Sequence, residues 1–124
     1  MLYGTIGQNM QIVKQKETHR IDTSPTTSIE EYIMPDRHIS GATAIISGRY
    51  PEVGYATNTL SYELVLVLSG NGLLGMKGKK PIPIELGNCI LIKPKEKYYW
   101  DGHMALFMAT TPKWSQKQHK ITRI

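Results

Sequence analysis

Glu63 is the only charge in the apolar run Tyr62-Glu63-Leu64-Val65-Leu66-Val67-Leu68, and Gly70 follows it seven positions on. A carboxylate in a buried strand is costly unless something stabilises it. It can help hold a cation, bind a ligand amine or hydroxyl, or carry a proton, because burial raises a carboxyl pKa toward neutrality. A bidentate pair with Arg49 would instead make Glu63 purely structural. Tyr98 and Trp100 have the same parity on an extended segment, so they face the same way, each with a broad ring and one polar group. His103 follows Gly102 and reads as a loop histidine that remains a candidate acid–base partner.

Other reactive residue types carry less. Cys89 is the sole cysteine, which rules out an intrachain disulfide, and its apolar setting reads as that of a small core residue. His19, His38, His103 and His119 show no metal-ligand spacing, and no phosphate-binding loop, nucleophile elbow or Cys-x-x-Cys occurs. His119 and Trp114 fall in the polar tail, where Trp114 is expected to anchor the chain as an apolar plug.

The elements that must position these groups are short strands. Ala42–Gly48, Tyr62–Leu68, Leu73–Met76, Cys89–Ile92, Lys97–Trp100 and Met104–Thr110 are strand candidates. Pro81 to Leu86 suits an edge strand or a strand start, because its prolines recur at period two. Arg49 to Gly54, Ser69-Gly70-Asn71-Gly72, Lys77 to Lys80 and Gly87-Asn88 are read as turns. Close, even spacing with Gly and Pro punctuation predicts an all-β sandwich or barrel. Residues 1–40 are polar and weakly patterned, and Ser28-Ile29-Glu30-Glu31 fits either a capped short helix or an extended arm.

At 124 residues the chain is expected to form one domain, with 40% hydrophobic residues as in a soluble protein. The apolar stretch Leu64 to Leu68 is far too short to cross a membrane, and Met1 to Gln8 lacks the order of a signal peptide, so no membrane partner and a cytoplasmic location are expected. The formal charge of +5 and pI near 9.4 come from lysines in the turn 77–80, in the tail, and at Lys93, Lys95 and Lys97, which alternate like one face of an extended segment. No nucleic-acid-binding signature accompanies them, so no nucleic-acid partner is expected.

The pattern from residue 42 to 110 resembles the cupin superfamily, the small RmlC-like jelly-roll barrels. Glu63 and Gly70 match the glutamate–glycine spacing of the first cupin motif. Gly87, the strand Cys89-Ile90-Leu91-Ile92 and Pro94 match the second, with Asn88 for its aspartate and the proline one residue late. The resemblance implies an all-β, double-stranded β-helix barrel over residues 41–112, an N-terminal arm over 1–40 that packs on the barrel or on a second subunit, and a basic tail over 113–124. The motif histidines are missing: their positions fall among Thr57, Asn58 and Thr59, and on Tyr98. Those are weak ligands for a transition metal, so no tightly bound metal or other cofactor is expected, although weak binding of a divalent cation through Glu63, with Asn58 and Tyr98, stays open.

In that register the Glu63 face points into the barrel. Glu63, Asn58, Tyr98 and Trp100 would form a pocket for a small polar metabolite such as a sugar, with Arg49 and Tyr50 of Gly48-Arg49-Tyr50-Pro51 at its mouth to meet a phosphate or carboxylate. The opposite face, Leu64, Leu66 and Leu68, is also apolar and needs a cover. A homodimer is expected, the alternative being that residues 1–40 cover it alone. Binding is favoured over catalysis. The alternatives are an isomerase- or epimerase-like enzyme using Glu63 with Tyr98 or His103, and an effector-sensing or interaction module.

Overall fold

The computed structural model describes residues 4–6 and 10–123. Their strands are β1 (Gly4–Ile6), β2 (Met10–Ile12), β3 (His19–Ser24), β4 (Thr27–Tyr32), β5 (Ser40–Tyr50), β6 (Tyr55–Asn58), β7 (Tyr62–Met76), β8 (Ile82–Glu85), β9 (Cys89–Ile92), β10 (Tyr98–Thr111) and β11 (His119–Thr122). Apart from the β1–β2 hairpin they form one antiparallel sheet, in which β10 lies between β5 and β7 along nearly its whole length. No helix among the described residues is long and apolar enough to cross a membrane.

Two elements are longer than their sequence suggests. Ser69-Gly70-Asn71-Gly72 is not a turn: β7 runs through it, just as β10 runs through Asp101-Gly102-His103. Glycine is what makes this continuity workable. Gly102 pairs with Gly48 on one side and Gly72 on the other, so three residues without side chains cross the sheet in a row. A Cβ on Gly102 would stand 2.5 Å from the Gly72 Cα, and one on Gly70 would meet the His103 carbonyl. Gly48, Gly70 and Gly102 also have φ of 134°, 80° and 143°, values that L side chains disfavour. Next to this line the register slips by one residue between Ala105 and Leu106, leaving Leu68 as a bulge.

The sheet creases there and closes on itself. Tyr98 and Thr110 lie twelve residues apart on β10, about 40 Å if the strand were straight. Yet Thr110 pairs with Glu63, and the Tyr98 hydroxyl reaches the Glu63 carboxyl. The enclosed core consists of Ala44, Ile46, Ala56, Val65, Val67, Leu74, Ile84, Ile92, Tyr98, Trp100, Met104 and Leu106.

Alternation along β7 sorts the two faces. Glu63, Val65 and Val67 are buried, whereas Leu64 and Leu66 keep 49% and 39% of their surface exposed. The register continues that outer face sideways, through Phe107 beside Leu66, Leu91 beside Leu64, and Ile45 on β5. Cys89 pairs with Leu66 and is exposed, not in the core as its apolar neighbours suggested. The segment Ser28 to Glu31 is extended, not helical: it lies in β4, which pairs with β5 and carries β3 on its other edge. The described part of residues 1–40 therefore leaves the outer leucine face open. Lys93, Lys95 and Lys97 do not alternate on a strand; β9 ends at Ile92, and Lys95 has the turn-forming φ of 71°.

Candidate functional site

At one end of the barrel five polar side chains join into a single chain of hydrogen bonds. Glu63, 6% exposed, takes Tyr98 Oη–H at 3.4 Å and Asn58 Nδ2–H at 3.3 Å, both on Oε1. Asn58 Oδ1 lies 2.8 Å from His119 Nδ1, and His119 Nε2 lies 2.9 Å from Tyr50 Oη. The donor inventory fixes the direction of this chain. With Nδ2 of Asn58 facing the carboxylate, its Oδ1 can only accept, so His119 carries its proton on Nδ1. Nε2 is then an acceptor, and Tyr50 donates to it. The proton on each link points toward Glu63.

The local structure explains why these residues meet. Asn58 ends β6, and the chain turns through Thr59 to Ser61 into β7, which brings Glu63 in beside it. Pairing of His119 with Asn58 across β11 and β6 sets the third member. Tyr50 sits opposite Trp100 on the inner side of the crease, and Trp100 packs edge-on against Tyr98, centroids 5.7 Å apart. Trp114 covers the His119 ring at 5.8 Å.

Electrostatics follow from burial. Two bonds longer than 3.2 Å are weak compensation for a carboxylate removed from water. Desolvation outweighs the help from Tyr98 and Asn58, and the Glu63 pKa is pushed up to about 7. Burial likewise raises the phenols of Tyr98 and Tyr50, with the nearby Glu63 adding to each, and lowers the His119 imidazole. Near neutral pH, Glu63 therefore exchanges a proton while His119 stays neutral.

Of the residues singled out in the sequence, Asn58, Glu63, Tyr98, Trp100 and Tyr50 come together. Arg49 does not. Odd parity turns it outward at the end of β5, where its guanidinium donates to the carbonyls of Pro51 (2.7 Å) and Gly54 (3.1 Å) and stacks 3.9 Å over the Tyr99 ring. It forms no salt bridge with Glu63; it braces the turn after β5. His103 is exposed and lies opposite Ser47 and Asn71, away from the Glu63 network. His119, by contrast, belongs to the network although it reads as part of a polar tail. No sequence signal marks it: His119-Lys120-Ile121-Thr122 is a four-residue strand without apolar–polar alternation.

The donor set does not fit the metal centre that the barrel implies. Among the described residues no three His, Cys, Asp or Glu side chains converge. Glu63 and His119 are separated by the Asn58 amide, and both His119 nitrogens already have partners. Two surface concavities lie elsewhere, one against Pro35, Asp36, Arg37 and Lys113 and the other along the β3–β4 hairpin.

A rolled antiparallel sheet with its polar residues gathered inside one end is a jelly-roll barrel, and solved structures confirm that class. A tyrosine-to-phenylalanine variant of Streptomyces Pac13 with uridine superposes at a TM-score of 0.82 with 14% identity, covering 94% of this chain and 93% of that one. An RmlC-like cupin from Shewanella frigidimarina matches at 0.67 with 12% identity over 86% and 95% of the two chains. Ectoine synthase from P. lautus matches at 0.66 with 19% identity over 86% and 80%. The chain has the fold of the small RmlC-like cupins. No family model matches the sequence, and no curated protein does.

Proposed function

We propose that the barrel binds a small hydroxylated organic molecule, of sugar or nucleoside type, at the Glu63 end and moves protons on it without a tightly bound transition metal. One observation carries this reading: a carboxyl pushed up to about 7 sits in a directed hydrogen-bond chain with a neutral histidine and two tyrosines. A group that titrates near the working pH can both take and return a proton, and hydrogen-bonded phenol and imidazole groups supply the complementary acid or base. On a carbon next to a carbonyl, whose C–H is acidic enough for such a base, elimination of water and epimerisation can run on this pair: one base removes the C–H proton, and one acid protonates the departing hydroxyl or the opposite face of the carbon. Pac13, whose fold this chain shares, is described as a nucleoside dehydratase and was solved with uridine, which supports trying nucleosides first; the analogy is one of fold.

The test is a panel of nucleosides, sugars and sugar acids incubated at pH 7 and followed by mass and by solvent-deuterium uptake. Wild type is expected to exchange or eliminate on at least one compound, and Glu63→Gln to bind that compound without turnover. Turnover undiminished in Glu63→Gln would overturn the reading. The same proposal includes a homodimer joined through the outer face of β5, β10, β7 and β9. An apolar row of Ile45, Phe107, Leu66, Leu64 and Leu91 is best hidden by a second copy of itself, in a two-fold contact.

A further inference from the structure

The strand that brings His119 into the network is weakly anchored by burial. β11 lies at the sheet edge, paired to β6 alone, and Lys120 and Ile121 are exposed. Beside that pairing, what holds it is Gln118, one residue earlier and only 3% exposed. Its Oε1 accepts the backbone N–H groups of Leu60 and Ser61, both at 2.9 Å. Its Nε2 donates to Ser61 Oγ at 2.6 Å, and that hydroxyl donates to the Pro112 carbonyl at 2.6 Å. The Gln118 carbonyl accepts from Thr59 N at 3.1 Å. Both lone pairs of the amide oxygen are used, so the side chain is held in one orientation.

This clamp grips residues 59–61, which with Tyr62 make up the link between Asn58 and Glu63, and ties them to the residue before His119. Beside the β11–β6 pairing, three members of the polar chain are thus tied together by one side chain that touches none of them. The groups facing His119 are Tyr50 from β5 and Asn58 from β6, with Glu63 of β7 and Tyr98 of β10 beyond Asn58, and Trp114 over the ring. We propose that Gln118 is a positioning residue of this site, fixing the orientation of the His119 imidazole toward Asn58 and Tyr50. Its consequence for turnover rests on the proton-transfer reading above; its consequence for the imidazole does not.

The experiment is a pH series of imidazole nitrogen NMR spectra on the full chain, with His119→Gln to assign the ring among the four histidines. Wild-type His119 is expected as the Nδ1–H tautomer, titrating below the ordinary imidazole range. In Gln118→Ala the ring should become a tautomer mixture and titrate in the ordinary range. If Gln118→Ala does not fold, Ser61→Ala removes one arm of the clamp and should give an intermediate spectrum. A Gln118→Ala or Ser61→Ala protein that melts earlier but keeps the wild-type His119 tautomer and titration would overturn the proposal, because the residue would then be structural only. Once a turned-over compound is known, kcat should fall about ten- to a hundredfold in Gln118→Ala with KM little changed. If no compound is turned over, the proton-transfer reading fails while the spectra still decide the role of Gln118.

Discussion

The two faces of β7 differ in what they leave unsatisfied. Inside, Glu63 is a buried charge with two long hydrogen bonds; outside, Leu64 and Leu66 are apolar groups left in water. Each is unfavourable for the isolated fold. A core built for stability alone would carry an apolar residue at 63, and a solvent face built for solubility would carry charge at 64 and 66. The inner exception points to chemistry on a ligand, and the outer one to a partner.

The largest effect is expected outside. Leu66→Asp should weaken the proposed dimer more than a hundredfold, about 3 kcal/mol or more, because a carboxylate would be buried at the contact. Sedimentation checks this, and the monomer should keep its fold, since residue 66 is exposed there. A wild-type protein that is already monomeric at high concentration would remove the outer half of the comparison.

Inside, the effect is one of pH. Below the ordinary carboxyl range, folded and unfolded chains both hold the Glu63 proton. Between that range and about 7 only the unfolded chain ionises, so stability falls as pH rises and the loss is complete above about 7. The displacement from 4.5 to about 7 sets an upper bound of about 3 kcal/mol. Glu63→Gln should therefore stabilise the protein by about 2 kcal/mol at pH 8 and by little at pH 5, read from denaturant midpoints. His119 has the opposite sign: its folded pKa is lowered, so its contribution is lost as pH falls below the ordinary imidazole range, and that loss should persist in Glu63→Gln.

Arg49→Ala should cost about 1–2 kcal/mol through the lost carbonyl bonds and ring stacking, yet leave the Glu63 titration in place. Movement of that titration would restore Arg49 to the site. Smallest is Tyr98→Phe, which removes a 3.4 Å bond; it should raise the Glu63 midpoint by a few tenths of a pH unit, because so long a bond contributes little. Infrared titration of the carboxyl reads both.

The barrel was legible because strand parity is local. The order Glu63, Val65, Val67 against Leu64, Leu66, Leu68 needs only a period of two. The crease was not, because Gly70-Asn71-Gly72 has the composition of a turn, and only the neighbouring strands force the chain straight through it. Cys89 was misplaced because Cys89-Ile90-Leu91-Ile92 is apolar at every position and carries no parity. Glu63, Asn58 and Tyr98 could be found from the motif spacing. His119 could not, since its relation to Glu63 depends on a short edge strand 56 residues away and on a glutamine clamp that no local pattern announces.

The row Gly48-Gly102-Gly72 has one more implication. Tyr98 and Glu63 lie on opposite sides of that line, so the angle at which the sheet folds sets the gap between phenol and carboxyl, much as a pivot sets the opening of callipers. A methyl group added at Gly102, which touches neither residue, would press on the β7 backbone at Asn71 and Gly72 and disturb that angle, and the acidity of Glu63 would report the change at a distance.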